Sequence, residues 1–263
     1  MYKKIDRRKN YSLMIDVETT NGLDEPLVYD IGAMIIDNDF NTYETVSYLV
    51  SEIFLSNSKE NSLMNTAYYS WKVPLYAQKI QDNEIKINDF MSIRTEIINL
   101  MNKYNIKTCI AHNGRFDYKA LNTTIRYLTG SKIRNYFKYD TEWLCTMTMA
   151  KDTLCKEKGY MNWCRRKPEE RLTPTGRISM KAENIYRYIT GNYDFIEEHT
   201  GLADAQIEAY IYWYSRQKRQ KMNKSIFGKR YDQKKEYKRI NNIKPRQQTY
   251  EQWKIWKLAK YQL

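Results

Sequence analysis

The chain has 263 residues, and its 44 Lys+Arg against 31 Asp+Glu give a formal net charge of +13. That length can enclose a real core. No apolar run approaches the roughly 20 residues a membrane-spanning helix needs, and the N-terminal MYKKIDRRKN lacks the apolar stretch and cleavage site of a signal peptide, so the expectation is a cytoplasmic protein with no membrane partner.

The stretch YSLMIDV (11–17) reads as a buried strand, followed by the polar turn TTNGLDEP. LVYDIGAMIID and TYETVSYLVS are two more apolar, β-branched runs separated by the turn-like NDFN, as in an antiparallel meander. From about 59 to 104 the period changes: Leu63, Ala67 and Trp71, then Phe90, Ile93, Ile97, Leu100 and Met101, recur at helical spacing and read as three helices. IKTCIAH is the next strand. It leads into NGRFDYKALNTTIRYL, whose Phe116, Ala120, Leu121, Ile125 and Leu128 form one helical face.

FKYDTEWLCTMTMA (137–150) reads as a strand ending at Asp140 and then a helix. The basic segment from Cys155 to Lys181, with Pro168, Pro174 and Gly176, reads as a loop-rich excursion. Helical order returns in AENIYRYIT and in a helix starting near Leu202, GLADAQIEAYIYWYSRQ. Strands first, then strand and helix alternating, predict an α/β domain over one mixed sheet. The cysteines, Cys109, Cys145, Cys155 and Cys164, form no C-x-x-C pair and read as reduced core thiols. His112, in CIAHNG, reads as a hydrogen-bonded histidine at a strand end.

Composition shifts at residue 216. Residues 216–263 hold 16 basic and 3 acidic side chains and so carry the whole +13, while residues 1–215 hold 28 of each sign. The expected division is therefore a domain over 1–215 and a basic extension over 216–263 that favours an anionic partner. In TYEQWKIWKLAKYQL, Thr249 and Gln252 stand at capping-box spacing. Trp253 and Trp256 share an arc with lysines, which suits stacking on single-stranded bases; an amphipathic helix docking on the protein's own body or on a protein partner is the alternative. Richness in Lys, Asn, Ile and Tyr points to an AT-rich genome, of a phage or a low-GC bacterium.

Chemistry concentrates in four acidic residues. Asp16 and Glu18, one residue apart on a strand, share a face, and two close carboxylates in a dry site need a shared proton or a hard cation such as Mg²⁺ or Mn²⁺. Asp117 follows a strand at the start of a helix, where capping is the common use of an acid. Asp204 falls on the stripe of Ile207, Ile211 and Tyr214 that should face the sheet, with no Lys or Arg between Arg187 and Arg216 to pair it. His199, five residues earlier, lies where a general base could take a proton from water.

These elements, in this order, resemble the DEDD superfamily of 3′ to 5′ exonucleases, in the DnaQ-like branch with a histidine in the third motif. The motifs are Asp16-Val17-Glu18-Thr19-Thr20, then His112-Asn113-Gly114-Arg115-Phe116-Asp117, then His199 with Leu202-Ala203-Asp204-Ala205, and Asp140-Thr141 is similar to the family's D-T before a helix. The resemblance covers about residues 10 to 214. It departs at Asn21, which intervenes before Gly22, and at Thr200 and Gly201, departures expected to touch substrate contacts rather than metal ligation.

The resemblance implies a ribonuclease H-like mixed sheet flanked by helices, with two Mg²⁺ or Mn²⁺ ions about 4 Å apart held by Asp16, Glu18, Asp117 and Asp204. It implies His199 as general base, with Thr19, Asn113 and Phe116 near the substrate, although Phe116 on a helix face also reads as core. The expected reaction is release of nucleoside 5′-monophosphates from the free 3′ end of single-stranded nucleic acid, with DNA placed ahead of RNA. The alternatives are an exoribonuclease like RNase T or oligoribonuclease, and a non-catalytic nucleic-acid-binding protein that keeps the fold.

Overall fold

The computed structural model describes residues 5–20, 25–56 and 63–226. The helix expected over 249–263, with Trp253 and Trp256, lies outside these residues, as do Asn21 and Gly22. Among the described residues no helix is long and apolar enough to cross a membrane.

Strands β1 (Tyr11–Thr20), β2 (Leu27–Asp37) and β3 (Thr42–Val50) form the expected antiparallel meander. β5 (Thr108–Ala111) and β6 (Glu142–Cys145) add in parallel on the β1 side, and β4 (Lys86–Asn88) pairs in parallel with β3. The sheet order is β4-β3-β2-β1-β5-β6. This is the mixed, helix-flanked sheet of a ribonuclease H-like fold.

Helices cover both faces, and β2 is accordingly buried along its whole length. Side-chain alternation along β1 sorts the layers. Leu13, Ile15 and Val17 join Ile93 and Ile97 of α3 (Phe90–Lys103) and Ala120, Leu121 and Ile125 of α4 (Arg115–Thr129). Met14 turns the other way, against Met149 of α5 (Thr146–Asp152) and Ala205 and Ala209 of α9 (Gly201–Gln217). Asp16 and Glu18 follow Met14 on that second face.

Several expectations need correction. Residues 63–81 are not two regular helices: after the short α1 (Ser51–Phe54) come two 3₁₀ turns, Leu63–Thr66 and Ser70–Lys72, and then α2 (Val73–Gln81), whose first turn holds Pro74, the part of a helix that tolerates proline. Trp71, expected on a buried face, is 71% exposed. Asp140 does not end a strand. It lies in a turn, β6 starts after it and the helix only at Thr146, so Asp140-Thr141 precedes a strand.

The segment 155–181 is not an open loop. It holds α6 (Lys158–Arg165) and α7 (Pro168–Arg171), and with α8 (Ala182–Thr190) it builds a satellite core of Tyr160, Trp163 and Ile185 against Ile207 and Ile211 of α9. Its basic residues hid that pattern, because Arg171 packs its guanidinium 3.7 Å from the Trp163 ring centroid rather than facing water. The body also continues past 216: α9 runs to Gln217, Ser225 bridges Leu144 of β6, and Ile226 is buried.

One contact places α9. A Cβ built on Gly32 of β2 would lie 1.9 Å from the carbonyl carbon of Gly201, and one on Gly201 would lie 2.4 Å from the Gly32 nitrogen. Backbone touches backbone there, so no side chain fits. Gly201 is thus a packing residue. Gly32→Ala should lower unfolding stability by about 3 kcal/mol or more, since overpacking rigid backbone leaves little to yield; a chemical-denaturation midpoint equal to that of the wild type would contradict the close approach.

Candidate active site

The C-terminal half of β1 turns acidic where its apolar partners stop. Asp16 pairs with Gly32 and Glu18 with Asp30, and the ladder shifts register between Glu18 and Thr19, a bulge that re-aims the end of the strand. Asp117 sits in the first turn of α4, buried. Asp204 sits in the first turn of α9. Three elements thus bring the four acidic residues toward one place.

The mutual electrostatics are severe. Burial, then Glu208, Asp117, Asp204 and Glu18, push the Asp16 carboxyl well above the usual range. Burial and then Asp204 do the same to Glu18, burial lifts Asp117 to about 8, and burial raises Asp204 against the lowering pull of His199. Charged carboxylates packed this way need compensation.

Ligand atoms of Glu18, His199 and Asp204 all lie within 4.8 Å of one another, a span that one small cation could bridge. The donor set is mainly hard carboxylate oxygen, which suits Mg²⁺ or Mn²⁺. Asp16 and Asp117 extend that acidic surface on the side of Glu208.

His199 lies on the loop entering α9 with φ at 55°, a left-handed conformation uncommon for a non-glycine residue. Its amide donates to Asp204 Oδ1 at 3.2 Å, and its Nδ1 is 3.5 Å from Glu197 Oε2 and 3.7 Å from Asp204 Oδ2. The ring stacks on Tyr69, centroids 4.4 Å apart and planes 16° from parallel.

The other expected residues fall around this centre. Thr19 is half-buried at the bulge, and Asn113 is exposed in the turn before α4, its φ of 55° making the turn. Phe116 is half-buried and belongs to none of the buried clusters. His112 is structural: its Nδ1 bonds Thr146 Oγ1 at 2.8 Å and its Nε2 bonds the Met180 carbonyl at 2.7 Å, with burial lowering its pKa to about 4. The four cysteines are free and buried.

Sequence reasoning missed Glu208, Glu197, Asp30, Tyr69 and Lys72. Glu208 was within reach, since it stands one turn after Asp204 on the same stripe. It is buried, its Oε2 accepts from the His112 amide at 2.9 Å, and burial followed by Asp117 raises it well above 4.5. Asp30 Oδ2 accepts from the Gly201 amide at 2.9 Å and from the Tyr76 hydroxyl at 2.8 Å, and burial still lifts it to about 6. Tyr69 and Lys72 carry no local sequence signal; they arrive from a distant segment.

No protein-family model matches the chain, and no curated protein matches it. Among solved structures, the 3′-exonuclease that recognises the 3′ end of the histone mRNA stem-loop superposes with a TM-score of 0.53 at 12% identity, over 82% of this chain and 85% of that one. Cell-death related nuclease 4 gives 0.48 at 10% identity, over 82% and 66%. E. coli exonuclease I in complex with a dA16 oligonucleotide gives 0.43 at 12%, over 80% and 41%. At these identities what is shared is the fold.

Burial keeps Asp30 protonated to about pH 6 and Glu197 to about pH 8 in the folded, metal-free protein, whereas unfolded acids ionise near 4. The folded state then binds more protons than the unfolded one between about pH 4 and 8, so stability falls as pH rises through that window. Urea denaturation in EDTA at pH 5, 6, 7 and 8 should show a decline of about 1 kcal/mol or more, and excess Mg²⁺ should flatten it.

Proposed function

We propose that the chain is a metal-dependent 3′ to 5′ exonuclease of the DnaQ-like, histidine-containing type, which releases nucleoside 5′-monophosphates from single strands. The observation that carries this reading is the convergence of Asp16, Glu18, Asp117 and Asp204 from β1, α4 and α9, with His199 at the rim. Support comes from the fold shared with a 3′-exonuclease.

Asp16, Glu18, Asp117 and Asp204 would hold two Mg²⁺ or Mn²⁺ ions. Such ions would offset the negative charge that grows on the attacking and departing oxygens during in-line hydrolysis. His199 takes the proton from the attacking water, its ring held by the stack on Tyr69. Thr19 and Asn113 lie beside the terminal nucleotide, and Phe116 offers a partly exposed ring to a base. DNA is placed first; because the 3′-exonuclease with the shared fold recognises an RNA, RNA belongs in every assay.

The basic extension supplies affinity rather than chemistry. Residues 227–263 carry 11 basic and 3 acidic side chains, and Trp253 and Trp256 are stacking surfaces for a single strand, or for a protein partner in the alternative reading.

End-labelled single-stranded DNA should shorten from its 3′ end in Mg²⁺, EDTA should stop the reaction, and Asp16→Asn should abolish it. His199→Ala should lose about 100-fold or more in kcat. A wild-type protein that leaves every DNA and RNA 3′ end intact in both Mg²⁺ and Mn²⁺ would overturn the reading. Truncation after Ile226 should leave kcat near wild type while weakening single-strand binding and flattening its salt dependence, as anisotropy titrations at several salt concentrations would measure.

A further inference from the structure

Glu198, the residue before His199, makes three contacts that the proposed chemistry leaves unused. Its Oε1 accepts from the Thr200 hydroxyl at 2.6 Å and lies 2.9 Å from the Lys79 ammonium, and its carbonyl oxygen accepts from Lys72. Lys79 stands on α2 and Lys72 in the 3₁₀ turn before it, so one segment distant in sequence holds this residue by its side chain and its backbone.

These contacts converge on the backbone of the histidine. The peptide group between Glu198 and His199 is planar, and both of its ends are held: the carbonyl by Lys72, and the N–H by Asp204 Oδ1 at 3.2 Å. The bond from the Thr200 hydroxyl to Glu198 then spans His199 from one neighbour to the other. A left-handed φ of 55° is disfavoured for histidine and persists only where its surroundings enforce it. α8 grips the same loop further back, where Arg187 Nε donates to the Phe195 carbonyl at 2.6 Å and the Glu197 amide donates to Glu183 Oε1 at 3.1 Å.

We propose that Glu198 is a positioning residue of the centre, anchored by Lys79, whose clasp over His199 keeps that residue in the left-handed conformation and its ring beside Asp204. This rests on the reading of His199 as the base. The side chains of the pair are 18% and 40% exposed, so the pair adds little to global stability and can be broken without unfolding the chain. A contact that only stabilised the fold would leave the step His199 performs untouched.

Steady-state digestion of single-stranded DNA by the full chain in Mg²⁺ separates the two roles. Glu198→Ala should lower kcat about tenfold, with KM and calorimetric Mn²⁺ affinity near wild type. Lys79→Met should lower kcat about threefold, and Lys79→Arg, which keeps the charge, should restore it. In a His199→Ala background Glu198→Ala should cost nothing further, because no ring is left to place. If Glu198→Ala does not fold, Lys79→Met alone and in the His199→Ala background makes the same comparison. Wild-type kcat in the clasp variants, or an equal loss in the presence and absence of the histidine, would overturn the clasp, while the loss in His199→Ala itself leaves the exonuclease reading standing. A wild type inert on every DNA and RNA 3′ end in both Mg²⁺ and Mn²⁺ would overturn both.

Discussion

The arrangement depends on one contact, the backbone of β2 against the first turn of α9 at Gly32 and Gly201. Both positions lack a side chain because an added Cβ would collide with the other's backbone. Asp30, two residues from Gly32 in β2, holds the contact closed by accepting from the Gly201 amide, and the Tyr76 hydroxyl occupies the same oxygen. A buried carboxylate at a helix N-terminus also meets the positive end of the helix dipole, which favours its charged form. Move α9 outward by a methyl group, and Asp204 leaves Glu18.

The same geometry explains why acids gather where packing would favour valine and isoleucine. The α9 face of β1 passes from Ser12 and Met14 to Asp16 and Glu18, while the opposite face stays apolar through Leu13, Ile15 and Val17. Hydrophobic burial on one face anchors the strand, and the other face carries charge that nothing apolar could stabilise. Asp117 and Glu208 deepen the repulsion at Asp16, and Lys72 relieves it near Glu18. The two ends of the cluster therefore differ: the Asp16 end is crowded by Glu208 and Asp117, and the Glu18 end lies beside Asp204 and His199.

Periodicity made much of this legible. The three-strand meander, β5 with α4, and α9 follow from alternation or helical spacing strong enough to survive tertiary context, and the same spacing placed Asp204 on a buried stripe. What failed did so for definable reasons. Leu63, Ala67 and Trp71 lie at helical intervals, yet the chain there makes 3₁₀ turns that leave Trp71 in water and turn Lys72 inward. Residues 155–181 looked open because their cationic side chains counted as polar, although Arg171 packs on Trp163. The packing requirement at Gly201 is not visible in the sequence, because only its distance to Gly32 reveals it.

Rigidity is distributed unevenly around the acidic centre. The four acids stand on a central strand and on the first turns of two packed helices, positions that a covered sheet holds fixed. His199 stands on a connecting segment in a left-handed conformation, kept there by the hydrogen bond its main-chain N–H donates to Asp204 and by the ring of Tyr69. Under the proposed reading, a proton-accepting group on a connecting segment and ligands on fixed elements divide the work sensibly. Tyr69 immediately precedes the 3₁₀ turn Ser70–Lys72, so the ring stacked on His199 and the ammonium bonded to the Glu198 carbonyl reach the histidine loop from one short segment.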